Sequence, residues 1–363
     1  MRGRELGIPF DGFTGRWNAI TDVEGVEVGF ATLIRGEGDL RVGAGPVRTG
    51  VTAILPRGKD SYDPVFAAWF PLNGNGEMTG TAWVDESGFL EGPVMITTTH
   101  SVGVVRDAVV AWQARTGRLF QPWSNPLVAE TFDGYLNDVN GFHVQEAHAL
   151  EAIESAASGP HAEGNVGGGT GMVCFEFKGG TGSASRRLNG REGGFTVGVL
   201  VQANFGIRHQ LTIAGVPVGV EIPEYAPFSL GADIYNRGGS VIAVVATDAP
   251  LLPHQLKRLA KRAALGVART GGTAENSSGD IFIAFSTANP LSARPGGELA
   301  QVHMLPNERI SPVFNAAVLA TEEAIVNALV AAETMTGING RTAHALPHER
   351  LREVLRKYQR IVE

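Results

Sequence analysis

The sequence predicts an α/β fold with layered packing. Strand-like and helix-like segments alternate along the whole chain, and several of the strand-like segments are apolar on both faces, which implies cover on both faces. Glycine is abundant, at 48 of 363 residues, so tight turns and close backbone approaches are expected.

Strands are expected at residues 51–55, 64–70, 94–99, 195–204, 210–214, 240–246 and 280–286, runs rich in Val, Ile and Phe with few charges. Helices interleave with them. Val102, Val105, Val109 and Trp112 recur at helical spacing and stop near Gly117. A second helix is expected over about 143–157. A third has Asp248 as candidate cap, Pro253 near its first turn, and Leu252, Leu256, Leu259, Ala263 and Val267 on one stripe. A fourth follows Ser311-Pro312 and runs to about residue 336, where Gly337 stops it; a short terminal helix follows Pro347. The glycine-rich stretch 159–194 has a linker's composition, but Val166, Met172, Val173 and Phe175 interrupt it, with a short apolar strand at 172–177. It reads as an ordered loop near the site. No boundary divides the chain, so residues 1–363 are expected to form one domain.

Hydrophobic residues make up 43% and charged residues 18%, the balance of a globular chain. The net charge of -7, with no dense basic stripe, argues against a nucleic-acid partner. Cys174 is the single cysteine, which removes intrachain disulfides and multi-thiolate metal sites; its apolar neighbours make it a buried strand residue. The first 15 residues hold no apolar core of signal-peptide length, and no apolar run approaches the ~20 residues of a membrane span. The expected address is therefore cytoplasmic, with no membrane partner. There is no GxSxG elbow, no GxxxxGK[ST] phosphate loop, and no GxGxxG. His344 and His348 have the spacing of a helical zinc pair, but Pro347 lies between them and Ala345 stands where HExxH has Glu. No metal and no cofactor are expected.

One stretch carries chemistry. Tyr235-Asn236-Arg237-Gly238-Gly239 leads into Ser240, which opens the apolar run Val241 to Ala246. Glycines permit the strained geometry in which a serine hydroxyl attacks its own preceding carbonyl. An N→O shift followed by hydrolysis would leave Ser240 with a free α-amine beside its hydroxyl, a base for a nucleophile. Taken alone, Gly-Gly-Ser more often describes a turn before a strand, since Gly and Ser are ordinary turn residues.

Further stretches extend the pattern. They are Asn-Gly-Asn-Gly-Glu-Met-Thr-Gly at 73–80, Glu-Thr-Phe-Asp-Gly-Tyr-Leu-Asn-Asp at 130–138 and Gly-Asn-Val-Gly-Gly-Gly-Thr-Gly-Met at 164–172. Val-Gln-Ala-Asn-Phe-Gly at 201–206, Ala-Thr-Asp-Ala-Pro at 246–250, Asn-Ser-Ser-Gly-Asp at 276–280 and Gly-Arg-Thr-Ala-His-Ala-Leu-Pro at 340–347 follow in order. With Gly239-Ser240, these resemble the self-processing family of L-aminopeptidase/D-esterase-amidases and β-peptidyl aminopeptidases, over nearly the whole chain.

The resemblance implies a four-layer α-β-β-α sandwich like that of the N-terminal-nucleophile hydrolases but with different connectivity. It implies self-cleavage between Gly239 and Ser240 into an α chain, 1–239, and a β chain, 240–363. Ser240 would then form an acyl-enzyme with a small peptide, amide or ester and release its N-terminal residue. Asn204 matches an oxyanion-stabilising asparagine, although after a strand ending at Ala203 it also reads as a turn residue. Tyr135 matches a tyrosine near the nucleophile, or is a half-buried aromatic. Ser278 and Asp280 resemble a serine and an acid in relay with the nucleophile. The acid of the β-peptide branch is Glu, one methylene longer, and a strand-capping turn is the other reading. Glu130, with Asp133 in reserve, is the carboxylate chosen for the substrate's free amine, or a solvated loop acid. The 164–172 loop either offers backbone N–H groups or packs closely. A homo-oligomer, a tetramer of processed protomers, is also implied. The rivals are an ornithine-acetyltransferase-like acyl transferase, whose nucleophile is normally threonine, and a non-catalytic relative that binds a small amine or peptide.

Overall fold

The computed structural model describes residues 1–227, 239–293 and 299–362. Its strands are β1 (Glu27–Arg35), β2 (Val47–Leu55), β3 (Val65–Pro71), β4 (Phe89–Leu90), β5 (Val94–Thr98), β6 (Leu127–Thr131), β7 (Val173–Cys174), β8 (Phe177–Lys178), β9 (Gly180–Arg187), β10 (Thr196–Phe205), β11 (Gly239–Thr247), β12 (Ile281–Ser286), β13 (Met335–Thr336) and β14 (Thr342–Ala343). The helices are α1 (Thr81–Ser87), α2 (Val102–Thr116), α3 (Glu146–Glu154), α4 (Val218–Glu221), α5 (Pro253–Arg269), α6 (Ser311–Ala331) and α7 (His348–Lys357).

Two sheets form the centre. One has the order β1-β2-β5-β6, the other β4-β3-β12-β11-β10-β9. Period-two alternation decides what each side chain meets. On β11, Ile242, Val244 and Ala246 face the other sheet, where they meet Ile54, Ile96 and Leu127. Val241, Ala243 and Val245 face the opposite way, into a core with Leu256 and Leu259 of α5 and Ala324 and Ala328 of α6. On the first sheet, Val51, Ala53 and Met95 turn outward to Val105 and Val109 of α2 and Ile153 of α3. The layers therefore run α2/α3, sheet, sheet, α5/α6. Every central strand is covered twice, which is why the runs in the sequence are apolar on both faces.

Each sheet contains one parallel pair, β5 with β6 and β11 with β12, and these need helical crossovers; α2 and α5 supply them. The remaining pairings are antiparallel. β11, which opens with the Gly239–Ser240 bond, lies between β10 and β12, and β12 borders β3. β12 and β11, from after that bond, are flanked on both sides in one sheet by strands from before it, so the ladder hydrogen bonds hold the two parts together whether or not the bond is intact.

Several expectations need correction. Residues 210–214 form no strand; a 3-10 turn at Arg208–Gln210 precedes a loop closed by the Ile213–Val216 bridge. Asp248 does not cap α5, whose cap is Leu252; Asp248 Oδ1 instead accepts the Thr196 N–H at 2.7 Å. The fourth helix ends at Ala331, five residues early, because Met335–Thr336 pairs with Thr342–Ala343. The second spans only Glu146–Glu154. The short strand expected over 172–177 is a hairpin of β7 and β8. β1, β6 and β9 were not anticipated. β9, Gly-Thr-Gly-Ser-Ala-Ser-Arg-Arg, lacks an apolar pattern, yet α6 packs so closely on it that a Cβ at Gly182 would overlap the Ala324 carbonyl. By length and composition alone α6, at 21 residues, could cross a membrane, but Glu322 and Glu323 interrupt its apolar run and 89% of its most apolar 18-residue window is buried within the protein, as in a core helix.

Candidate active site

Ser240, the second residue of β11, lies directly opposite Asn204 of β10, which is inside the strand and not in a turn beyond it. Ser240 is 5% exposed. The preceding Gly239 has φ +60°, and a Cβ there would overlap the Asn204 carbonyl, so only glycine fits. Tyr235 to Gly238, which completed the sequence signal, lie outside the described residues. The Ser240 Oγ accepts a hydrogen bond from the Gly279 N–H at 3.1 Å.

The turn carrying Gly279 enters β12, the parallel neighbour of β11, and this brings Ser278 and Asp280 beside the serine. Ser278 Oγ donates to Asp280 Oδ1 at 2.7 Å, and the same oxygen accepts the Val241 N–H at 3.1 Å. Burial raises the Asp280 carboxyl above its ordinary value, against the opposing effect of these donors. Asp280, although shorter than Glu, therefore reaches the main chain of the residue after Ser240.

Asn204 has its amide orientation set from two sides. Its Oδ1 accepts the Val173 N–H at 2.8 Å, and its Nδ2 donates to the Phe132 carbonyl at 3.0 Å. A primary amide has two N–H bonds, so one remains for another acceptor. The β7–β8 hairpin and the segment after β6 thus both converge on the residue facing Ser240.

That segment holds the remaining candidates. Glu130, on β6, is 3% exposed; its carboxylate accepts the Glu77 N–H at 3.0 Å and the Thr99 hydroxyl. Burial raises its pKa, with Thr99 and the Glu77 N–H opposing. A Cβ at Gly76 would lie 3.0 Å from Gly279 Cα and 3.3 Å from Glu130 Oε1, so the loop 73–77 separates the Glu130 carboxylate from the serine's donor by a single glycine. Asp133 is fully enclosed; its Oδ1 accepts from the Thr98 hydroxyl at 2.8 Å and Asn137 Nδ2 at 3.0 Å, and burial pushes its carboxyl up to about 6. Tyr135 stands three residues beyond Phe132, packed on Leu136, Met335 and Ala343, with the Arg341 guanidinium 5.5 Å from its ring centre. Burial raises its phenol pKa, and Arg341 opposes this.

The glycine-rich stretch packs closely. The Gly167 and Gly168 N–H groups are spent on the hydroxyls of Thr32 and Thr52, at 2.9 and 3.1 Å, and a Cβ at Gly168 would overlap the Gln202 side chain. Cys174 is fully buried, and burial pushes its thiol up to about 12, unsuited to nucleophilic work. Among the described residues no group of three His, Cys, Asp or Glu side chains could hold a metal ion.

This geometry agrees with what the chain resembles. The model of peptidase family S58 matches residues 18–343. The chain belongs to peptidase family S58. It is 58% identical to the β-peptidyl aminopeptidase BapA of Sphingosinicella microcystinivorans, over 99% of this chain and 93% of the relative. Among solved structures, a β-aminopeptidase of Burkholderia sp. superposes with TM-score 0.90 at 49% identity, covering 98% of this chain and 99% of that one. The L-aminopeptidase D-Ala-esterase/amidase of Ochrobactrum anthropi, described as a prototype for the serine aminopeptidases and a new variant among the Ntn hydrolase fold, gives TM-score 0.90 at 49% identity, covering 99% of both chains. The S58 membership and the layered α/β fold expected from the resemblance are thereby established.

Three participants escaped the sequence reading of this S58 chain. Asn73, Gly279 and Thr99 all contact the candidate residues, and the first two lie within stretches already singled out at 73–80 and 276–280. Their roles depend on contacts across more than a hundred positions for Asn73, so spacing along the chain could not assign them.

Proposed function

We propose that the chain cleaves itself between Gly239 and Ser240 and that the freed Ser240 is the nucleophile of an aminopeptidase/amidase. The protein is a hydrolase of the S58 peptidases, and its relatives named aminopeptidases support action on N-terminal residues of small peptides, amides or esters. The comparisons support this reading and not the acyltransferase or the binding-protein alternative. Residues 1–363 would then be one catalytic unit in two pieces, 1–239 and 240–363.

The observation that carries the proposal is Gly239 in a left-handed backbone against the Asn204 carbonyl, immediately before a buried serine whose oxygen receives a main-chain donor. In scission, Ser240 Oγ attacks the Gly239 carbonyl carbon and the C–N bond breaks as an ester forms. Water hydrolyses the ester, leaving a Gly239 carboxylate and the Ser240 amine. In turnover, that amine takes the Oγ proton as Oγ attacks the substrate carbonyl, and then gives it to the departing amine. The free N–H of Asn204 faces the developing oxyanion, with Tyr135 as a further donor. Ser278 and Asp280 hold the hydrogen-bonded array beside Ser240. Glu130 holds the substrate ammonium, whereas the enclosed Asp133 braces the loop. The names of two relatives support acceptance of β-residues, and that of the Ochrobactrum anthropi enzyme acceptance of α-residues. Processed protomers would assemble into a tetramer, which light scattering on purified protein tests.

Mass spectrometry of wild type beside Ser240→Ala tests the core of the proposal. Two pieces from wild type and one intact chain from the variant are expected, together with hydrolysis of L-, D- or β-aminoacyl p-nitroanilides by wild type alone. Identical fragments from both proteins would refute it.

A further inference from the structure

We infer that Asn73 is a positioning residue that aims the Gly279 N–H at the Ser240 oxygen, and that this main-chain donor assists the steps in which that oxygen carries negative charge. The inference rests on Ser240 being the nucleophile. Gly279 donates to Oγ, so the hydroxyl's own hydrogen is available to a base. Oγ bears growing negative charge when its proton is removed, and again when it departs from the acyl-enzyme as water attacks. A fixed donor at 3.1 Å stabilises both moments.

A main-chain donor points only as well as its turn is held. Asn73 grips this turn at both ends: its Oδ1 accepts the Asp280 N–H at 2.6 Å, and its Nδ2 donates to the Glu275 carbonyl at 3.0 Å. Asn75 adds a bond from Nδ2 to the Ser277 carbonyl at 2.9 Å. The loop also presses on Gly279 itself, where a Cβ would lie 2.6 Å from the Asn75 carbonyl oxygen and 2.7 Å from Gly76 Cα. Beyond Asp280 the chain is locked into β12. The peptide between Ser278 and Gly279, whose carbonyl accepts the Asn75 N–H at 3.3 Å, is thus held between a rigid strand and the loop 73–76, in which the Asn73 side chain alone bonds both ends of the turn. Asn73 belongs to residues 1–239 and the turn to residues 240–363, so the aiming contact spans the two predicted pieces.

The test uses full-length Asn73→Ala, which removes both bonds, and Asn73→Asp, which keeps the acceptor for Asp280 N–H. Scission is followed by denaturing gel. Processed protein is assayed for kcat and KM on the best p-nitroanilide and for burst kinetics on the matching p-nitrophenyl ester, with a melting curve for each variant. We expect slower scission, kcat lowered about thirtyfold in Asn73→Ala and less in Asn73→Asp, and KM within about twofold, as misplacement of one catalytic group requires. The ester burst should persist while its steady rate falls, because deacylation is impaired. If Asn73→Ala does not fold, the ordering is read from Asn73→Asp against wild type. A folded Asn73→Ala with wild-type kcat, or a loss confined to KM, overturns the inference while leaving the Ser240 reading intact. A wild type that neither splits nor hydrolyses amides removes both.

Discussion

Asn204 and Ser240 are partners in the antiparallel β10–β11 ladder, so the strand register alone sets an amide opposite a hydroxyl. Directly paired residues project to the same face about 5 Å apart. A slip of β11 by one residue would turn Ser240 to the other side of the sheet, away from Asn204, and the alternation of Ile242, Val244 and Ala246 with Val241, Ala243 and Val245 between two apolar cores resists such a slip.

Asn204→Ala removes the proposed oxyanion donor and leaves the Val173 N–H and Phe132 carbonyl without their partner. A fall in kcat of about a hundredfold is expected, typical for loss of one oxyanion donor, with a modest loss of stability. Steady-state kinetics on processed enzyme, beside a melting curve, checks it. An unchanged kcat would assign oxyanion stabilisation to other donors.

Glu130→Gln tests amine recognition. Burial holds the Glu130 carboxyl above the ordinary carboxylate range, and only its ionised form pairs with an ammonium. Binding therefore strengthens as pH rises through that raised value. In the proposed mechanism the Ser240 amine must also lose a proton, so log kcat/KM should climb with a slope of about two at the acid end in wild type and about one in the variant. At neutral pH the variant should lose about thirtyfold in kcat/KM on substrates with a free amine, and little on an N-acylated ester. Equal losses on both substrates would contradict the assignment.

Asp133→Asn tests the buried acid. Its folded pKa is raised to about 6 from 3.8, so the folded state keeps a proton that the unfolded state gives up. Stability linked to this group is intact below about pH 4 and is lost as pH rises to about 6, by up to about 3 kcal/mol. Asparagine can still accept from Thr98 and Asn137 but has no charge to bury. The variant should thus gain on the parent between pH 4 and 7. Urea unfolding at both pH values, in a Ser240→Ala background so that a single chain unfolds, measures it; a difference independent of pH would count against the buried charge.

Much of the proposed site is written in short motifs. Ser240 could be read because a double glycine before a hydroxyl and an apolar strand is a local arrangement. Glu130, Tyr135, Ser278 and Asp280 followed from resemblance, also local in sequence. The apolar run expected over 195–204 ends at Asn204, so local sequence left it at a strand end or in a turn; its pairing with Ser240 shows that β10 runs on to Phe205. Asn73 was invisible because its partners at 275 and 280 are brought to it by the pairing of β3 with β12.

The amino-acid order by itself determined the alternation of helices and doubly apolar strands, the position of the serine behind glycine, and membership in its peptidase family. These depend on periodicity and near neighbours, which a chain carries without folding. Only the tertiary structure decided that Asp133 is sealed away while the Glu130 carboxylate lies one glycine from the serine's donor, and that β9 exists at all. It also decided that strands from both sides of Gly239–Ser240 share one sheet. Those outcomes come from burial and from contacts between distant segments, whose energies exist only once the layers have packed.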